Sequence, residues 1–299
     1  MSRPVSRMAS LSQRAALAVP PHAFFLVSAV FHYLGPAFAV LLFRHVAVLG
    51  VAWLRIASAG LIFAFWRRPW HILRTLPRRQ LGLLLALGGV LGVMNSVFYL
   101  AIDRLPLGTV GAIEFLGPIA LAAAGAGSGR NLGALALAAG GVYLLTDLHF
   151  SGEPLGIGLA FANCLLFVLY VALGHRIAQD GGTAGIDRLG AAMLIALAVV
   201  SPWGFTEASI AFGEPRLLAA GIGVGLCSSV IPYVCDQLAM ARLPRATFAL
   251  LLALLPACAT IIGVLVLRQI PGPVELVGVA LVVSGVALHR MPVETMPEV

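Results

Sequence analysis

Lysine is absent from this chain, and all 19 basic residues are arginine. Without lysine there is no Gly-Lys phosphate loop, which excludes a P-loop nucleotide hydrolase. Charge of either sign is scarce: 10% of residues are charged, with only 12 Asp and Glu, against about 25% in soluble domains. That excludes an ordinary water-facing surface, and no basic, aromatic-studded face for nucleic acid is present. Cysteine is sparse too. Cys164, Cys227, Cys235 and Cys258 stand at irregular spacing inside apolar runs, so they read as small apolar packers and not as disulfides or metal ligands. No His-Glu-x-x-His and no Gly-x-Ser-x-Gly occurs, and the fragment Ala126-Gly127-Ser128-Gly129 has Ala where the first Gly belongs. The chemistry of intramembrane zinc proteases and serine hydrolases is therefore missing, and an enzyme is not expected.

Apolar residues fill the space that charge leaves. They make up 60% of the chain, the mean hydropathy is +1.00, and runs of about 20 recur, each long enough to cross a bilayer core. These runs are unbroken and do not alternate, which argues against a β-barrel. The expected fold is an all-α polytopic membrane protein with ten transmembrane helices, near 22–43, 46–66, 80–101, 107–126, 131–147, 155–174, 190–209, 217–240, 246–267 and 272–289. The longest polar interval is the 14 residues from Arg67 to Gln80, so no soluble domain is hidden between spans.

Arginine sets the orientation. With both termini cytoplasmic, the inner side holds 14 arginines and the outer side four, namely Arg44, Arg104, Arg216 and Arg268. This is the positive-inside pattern, and it explains the net charge of +7 through anionic head groups. The arginines of the first 20 residues read as a cytoplasmic tail, with no cleaved leader implied.

A 28-residue stretch occurs twice, 138 positions apart: Phe98 to Gly125 and Asp236 to Gly263. Both copies hold an Arg-Leu-Pro corner (Arg104-Leu105-Pro106, Arg242-Leu243-Pro244), a Thr three residues on, a later Pro (Pro118, Pro256) and a closing Gly. Five spans separate the copies, and an odd number inverts their orientation. The chain thus divides into two inverted five-helix repeats, 1–148 and 149–299, the architecture of alternating-access transporters.

Few polar groups sit inside the spans. A charge at mid-helix costs about 2.5–3.5 kcal/mol on insertion scales, so it survives where it is paired or faces a cavity. Arg55, Glu114 and Asp236 are the candidates. Arg55 suits a substrate carboxylate through bidentate hydrogen bonding, and Glu114 or Asp236 suits an ammonium group. A carboxyl group lining such a cavity can also bind and release protons, which makes Glu114 the first choice for proton coupling and Asp236 the second. The plainer alternative is an Arg55–Glu114 ion pair that only fixes helix register. Asn95 and Tyr99 share a face of one span, as do Asn163 and Tyr170, and Tyr170 joins the lining candidates. His32 is a lone histidine with a structural role or a place in a proton relay. Pro118, Pro232 and Pro256 are candidates for breaking helices near the site and freeing carbonyls. The pairs Gly129/Gly133 and Gly221/Gly225 allow close helix contact, with a homodimer as the other use of that motif.

The runs Gly92-Val93-Met94-Asn95, Phe98-Tyr99-Leu100-Ala101-Ile102, Leu105-Pro106-Leu107-Gly108 and Glu114-Phe115-Leu116-Gly117-Pro118 resemble the EamA type of the drug/metabolite transporter superfamily. Leu54-Arg55, Tyr170, Gly174-His175-Arg176, Ile231-Pro232-Tyr233 and Arg242-Leu243-Pro244 continue that resemblance in order. Within the family the likeness is greatest to bacterial exporters of threonine and homoserine. The resemblance implies a secondary transporter of the bacterial inner membrane that exports a small metabolite, an amino acid such as threonine or homoserine, by proton antiport. It implies no cofactor; the partners are the solute, protons and the bilayer. The other readings are an EamA-type carrier of a different solute, in either direction, or a non-transporting sensor or assembly protein on the same scaffold. This chain departs from the pattern at two carboxylates: Leu255 stands before Pro256, and Arg268-Gln269 replaces Gly-Glu. Asp236 keeps the charge where the exporters carry Glu.

Overall fold

Helices form wherever the chain is apolar on all sides, because a backbone away from water must bond to itself. The computed structural model describes residues 20–125, 129–150, 153–178, 184–240 and 254–288, and among these there is no strand. The helices are α1 Pro21–Leu42, α2 Val48–Arg67, α3 Trp70–Thr75, α4 Arg78–Ile102, α5 Leu107–Gly125, α6 Gly129–Phe150, α7 Pro154–Ala178, α8 Ala184–Gly213, α9 Pro215–Gly225, α10 Ile231–Met240, α11 Leu255–Leu267 and α12 Pro273–Leu288. A π-helical turn, Leu226–Val230, joins α9 to α10 without a break. Proline opens α1, α7, α9 and α12, where its missing N–H costs nothing and its fixed φ suits the first turn.

Among the described residues, six helices are long and apolar enough to cross a membrane: His22–Leu42, Val48–Arg67, Arg78–Ile102, Pro154–Leu173, Asp187–Gly213 and Pro215–Asp236. Leu107–Gly117, Leu255–Leu267 and Pro273–Leu288 are shorter apolar helices. Their outer faces carry large apolar side chains in the open. Phe65 is 81% exposed, and Leu165 and Leu265 are each 72% exposed, a surface that hydrocarbon accepts and water does not. The interval 67–80 expected as a loop contains the short helix α3, preceded by the buried Pro69. The corner Arg242-Leu243-Pro244 and the position Leu252, aligned with Glu114, lie outside the described residues.

The bundle packs α2 on α8, α6 on α12, α4 on both α7 and α8, and the α9–π–α10 rod on α1 and α2. Helix α5 meets α7 and α11, and α11 also meets α1. Small residues allow the close crossings. A Cβ on Gly225 would run into the Ser58 hydroxyl and the Arg55 carbonyl, so α9 lies directly against the backbone of α2. Gly221 likewise meets Leu54, while Gly129 faces open space. Of the two expected Gly pairs, only Gly221/Gly225 is a tight contact. All four cysteines are free.

Candidate functional site

Arg55 is the eighth residue of α2 and is only 5% exposed. Its Nε donates to Ser229 Oγ at 3.0 Å and its Nη2 to the Ser228 carbonyl at 3.1 Å. The guanidinium also lies over the Tyr99 ring, 5.3 Å from the centroid, within cation–π range. Among the described residues Arg55 forms no ion pair; the pairs found there are Arg67–Asp187 at 2.6 Å and the neighbouring Arg104–Asp103 at 3.4 Å. The expected alternative of a structural Arg55–Glu114 pair is therefore not what holds Arg55. It is held by the π-turn.

That turn has a local cause. Pro232 has no N–H to offer the carbonyl four residues before it, that of Ser228, and this carbonyl is the one Arg55 takes. Ser228 Oγ turns back to the Val224 carbonyl, and Ser28 Oγ on α1 donates to the Pro232 carbonyl at 3.2 Å. π-Turns inside α-helices are common at functional sites. Pro118 relates in the same way to Glu114, and Pro36 in α1 to His32. Each of these prolines stands four residues after a polar residue of this region. Pro256 instead lies in the first turn of α11.

Glu114, on α5, is 6% exposed and accepts a hydrogen bond from Asn163 Nδ2 on α7 at 3.1 Å. Asn163, weighed as a packing group, is thus a partner of the main carboxylate. Its own Oδ1 has no hydrogen-bond partner, nor have the hydroxyls of Tyr33 and Tyr99, though all three atoms are buried. Tyr33, on α1, is fully buried within electrostatic reach of Glu114, and its hydroxyl would meet a Cβ on Gly111, one turn before Glu114. An unsatisfied buried polar atom costs about 1–3 kcal/mol, so three around two buried charges call for an explanation. Sequence reasoning missed Tyr33, Ser228 and Ser229.

The remaining candidates fall into place unevenly. Tyr99 joins Arg55, but Asn95 donates to the Leu91 carbonyl of its own helix at 2.7 Å. Asp236 lies beside Ser28, and Tyr170 has Tyr233 and Asp236 as its charged or polar neighbours while stacking on Phe167. Tyr233 links the groups, standing within reach of Arg55, Asp236 and Glu114. His32 packs edge-on against Tyr33, with its ring centroid 5.4 Å away. Among the described residues no three His, Cys, Asp or Glu converge as metal ligands do. A separate cavity of about 200 Å³ lies at the start of α5, lined by Pro106, Thr109, Thr260 and Gln269 among others. There Gln269 Oε1 accepts from the Leu107 amide at 3.0 Å, capping an N–H that the helix cannot satisfy itself.

Residues 154–291 match the EamA-like transporter family. The chain is 30% identical over 253 residues to the threonine/homoserine exporter RhtA of Escherichia coli (strain K12), covering 84% of each protein. The chain belongs to the EamA family. The RhtA of Salmonella typhimurium (strain LT2) is 29% identical over 268 residues, with 89% of each chain covered. A solved crystal structure shares the fold at a TM-score of 0.58 and 19% identity, over 90% of this chain and 98% of that one. This EamA chain is accordingly a multi-pass membrane protein of a transporter family, with a small molecule as its substrate. Arg268, which stands where the resemblance implies Gly, has φ 57°, a left-handed conformation that glycine adopts freely. Arg268 accepts a strain of about 1 kcal/mol there.

Proposed function

We propose that this protein is a secondary transporter of the bacterial inner membrane that exports a polar amino acid, such as threonine or homoserine, by proton-coupled alternating access. One observation carries the reading: a buried guanidinium with no carboxylate partner among the described residues, and a buried carboxylate, stand among three unsatisfied polar atoms. A zwitterion completes that set. Its carboxylate is bound by Arg55, which Ser228, Ser229 and Tyr99 orient. Its ammonium is bound by Glu114, with Asp236 as the second carboxylate on the path. Tyr33, Tyr99 and Asn163 are left to meet a third polar function, and this favours a substrate with a hydroxyl side chain over an apolar isostere. A site built to hydrogen-bond a hydroxyl rejects the analogue that lacks it, because its own groups are then left unpaired.

The same reading divides a ten-span membrane domain with both termini cytoplasmic into two halves of like structure, 1–148 and 149–299, and helix packing supports the two halves. Exchanging α1, α2, α4, α5 and α6 for α7, α8, α9–π–α10, α11 and α12 turns most of the principal contacts into others that also exist. The α4·α7 contact becomes α1 against the α9–π–α10 rod, α4·α8 becomes α2·α9, and α5·α7 becomes α1·α11, while α2·α8, α5·α11 and α6·α12 map onto themselves. Two inverted halves of this kind rock about a central site. Because Arg55, Tyr99, Glu114 and Asn163 are all buried, this conformation is closed around the site.

Solute-dependent thermal stabilisation of the purified protein tests the reading, since specific binding stabilises in proportion to log concentration. Threonine and homoserine are expected to raise the melting temperature, valine is not, and Arg55→Gln is expected to abolish the response. Equal stabilisation by threonine and valine would contradict a site that selects for the hydroxyl.

A further inference from the structure

A second feature lies on the outside of the bundle. A groove of about 570 Å³ runs between α2 and α9, lined by Ser58, Leu61, Ile62, Phe65, Trp66 and Ile222. From Ser58 to Trp66 it follows nine residues of α2, about 12 Å of helix axis. At its Trp66 end the chain carries five arginines in 13 residues: Arg67, Arg68, Arg74, Arg78 and Arg79. No acidic residue occurs anywhere before Asp103, and among the described residues Asp187, paired with Arg67, is an acidic group that the fold brings to this corner. Arg74, Arg78 and Arg79 are exposed, as are the rings of Trp66 and Trp70. Tryptophan beside arginine marks the level of the lipid head groups.

We propose that this groove binds an anionic phospholipid, with one acyl chain laid along α2 from Trp66 to Ser58 and the phosphate held at the arginine corner. Charge complementarity selects the occupant: an apolar slot that ends beside the exposed Arg74, Arg78 and Arg79 fits a chain with an anionic head. The inference rests on the placement of the bundle in a membrane and not on what it transports. The far end of the groove is close to the substrate site. Ser58 donates to the Leu54 and Arg55 carbonyls at 2.7 and 3.1 Å and abuts Gly225 on α9. A chain seated there presses on the α2–α9 crossing, one turn from the guanidinium of Arg55. The bound lipid is therefore part of what keeps Arg55 against Ser229.

The test uses the full chain with Trp53→Phe, Trp70→Phe and Trp203→Phe, which leaves Trp66 as the fluorescent reporter. The protein is reconstituted in dioleoylphosphatidylcholine vesicles doped with brominated-chain phosphatidylglycerol or, separately, brominated-chain phosphatidylcholine. The glycerol lipid is expected to quench Trp66 at a concentration lower by about fivefold for each arginine engaged. Arg74→Gln with Arg78→Gln is expected to erase that preference, and Leu61→Phe with Ile222→Phe, which fills the groove, to reduce the quenching itself. Equal quenching by the two lipids, or a preference that survives both sets of substitutions, overturns the proposal. Displacement by glycerol phosphate alone also overturns it, because it would make the site one for a soluble phosphate. If the reporter variant does not fold, native mass spectrometry of the unaltered chain reads the same preference as retained phosphatidylglycerol over phosphatidylcholine.

Discussion

Tyr33 separates a binding role from a packing role more cleanly than any charged residue does. Its hydroxyl is buried without a partner, and such a group costs about 1–3 kcal/mol. Tyr33→Phe is therefore expected to leave the empty protein as stable as wild type or more so in a thermal melt, while lowering affinity for threonine about tenfold. A hydroxyl needed only for packing would give the reverse pattern. Arg55→Lys makes a second test at this scale. Lysine keeps the charge but cannot serve Ser229, the Ser228 carbonyl and a carboxylate in one plane. Threonine binding should drop about tenfold or more by isothermal titration, with the fold intact by circular dichroism. Arg55, Glu114 and Asp236 were legible in the sequence because charge within an apolar run is rare and costly. Tyr33 was not, since an aromatic residue within an apolar helix looks like any core residue until its neighbours are known.

At the scale of the helix, proline does more than bend the chain. Pro232 cannot give the Ser228 carbonyl an α-helical N–H, and Arg55 donates to that carbonyl. Pro232→Ala returns an N–H that competes with the guanidinium. The expected outcome is an unchanged or raised melting temperature together with weaker threonine binding; tighter binding in that variant would refute the role assigned to the π-turn. Gly225→Ala is expected to behave differently, costing about 1–3 kcal/mol by overpacking, because its Cβ meets Ser58 and the Arg55 carbonyl. Its melt should shift down with or without solute. The sequence announced Pro232 as a break, but it could not announce the π-turn, nor that two serines in it would orient an arginine 174 residues away. Side-chain partners across a bundle follow from packing, and one sequence does not encode packing in any local pattern. The same limit hid the role of Gln269. As a departure from the family's Glu it reads as a loss, yet its amide oxygen caps the start of α5, which a carboxylate would also do.

For the whole molecule, length and hydropathy mark the expected spans, a helix covers each of them wherever residues are described, and six of the described helices are long and apolar enough to cross a membrane. The proposed duplication rests on an Arg-Leu-Pro corner and two aligned prolines in the sequence, and its chemical asymmetry on Glu114 aligning with Leu252. The proposed scaffold, two like halves with buried charges gathered between them, is suited to exposing one site alternately to two sides. Transport as proposed requires exchange of bound solute for protons at that site, and gradient-driven uptake into proteoliposomes reads that exchange. With an acidic interior, wild-type protein is expected to concentrate labelled threonine inside as protons leave, and to lose that gain when the gradient is collapsed. Glu114→Gln is expected to abolish the accumulation. If Glu114→Gln vesicles concentrated threonine as well as wild type does, Glu114 would not be the coupling group and proton exchange at this site would be contradicted.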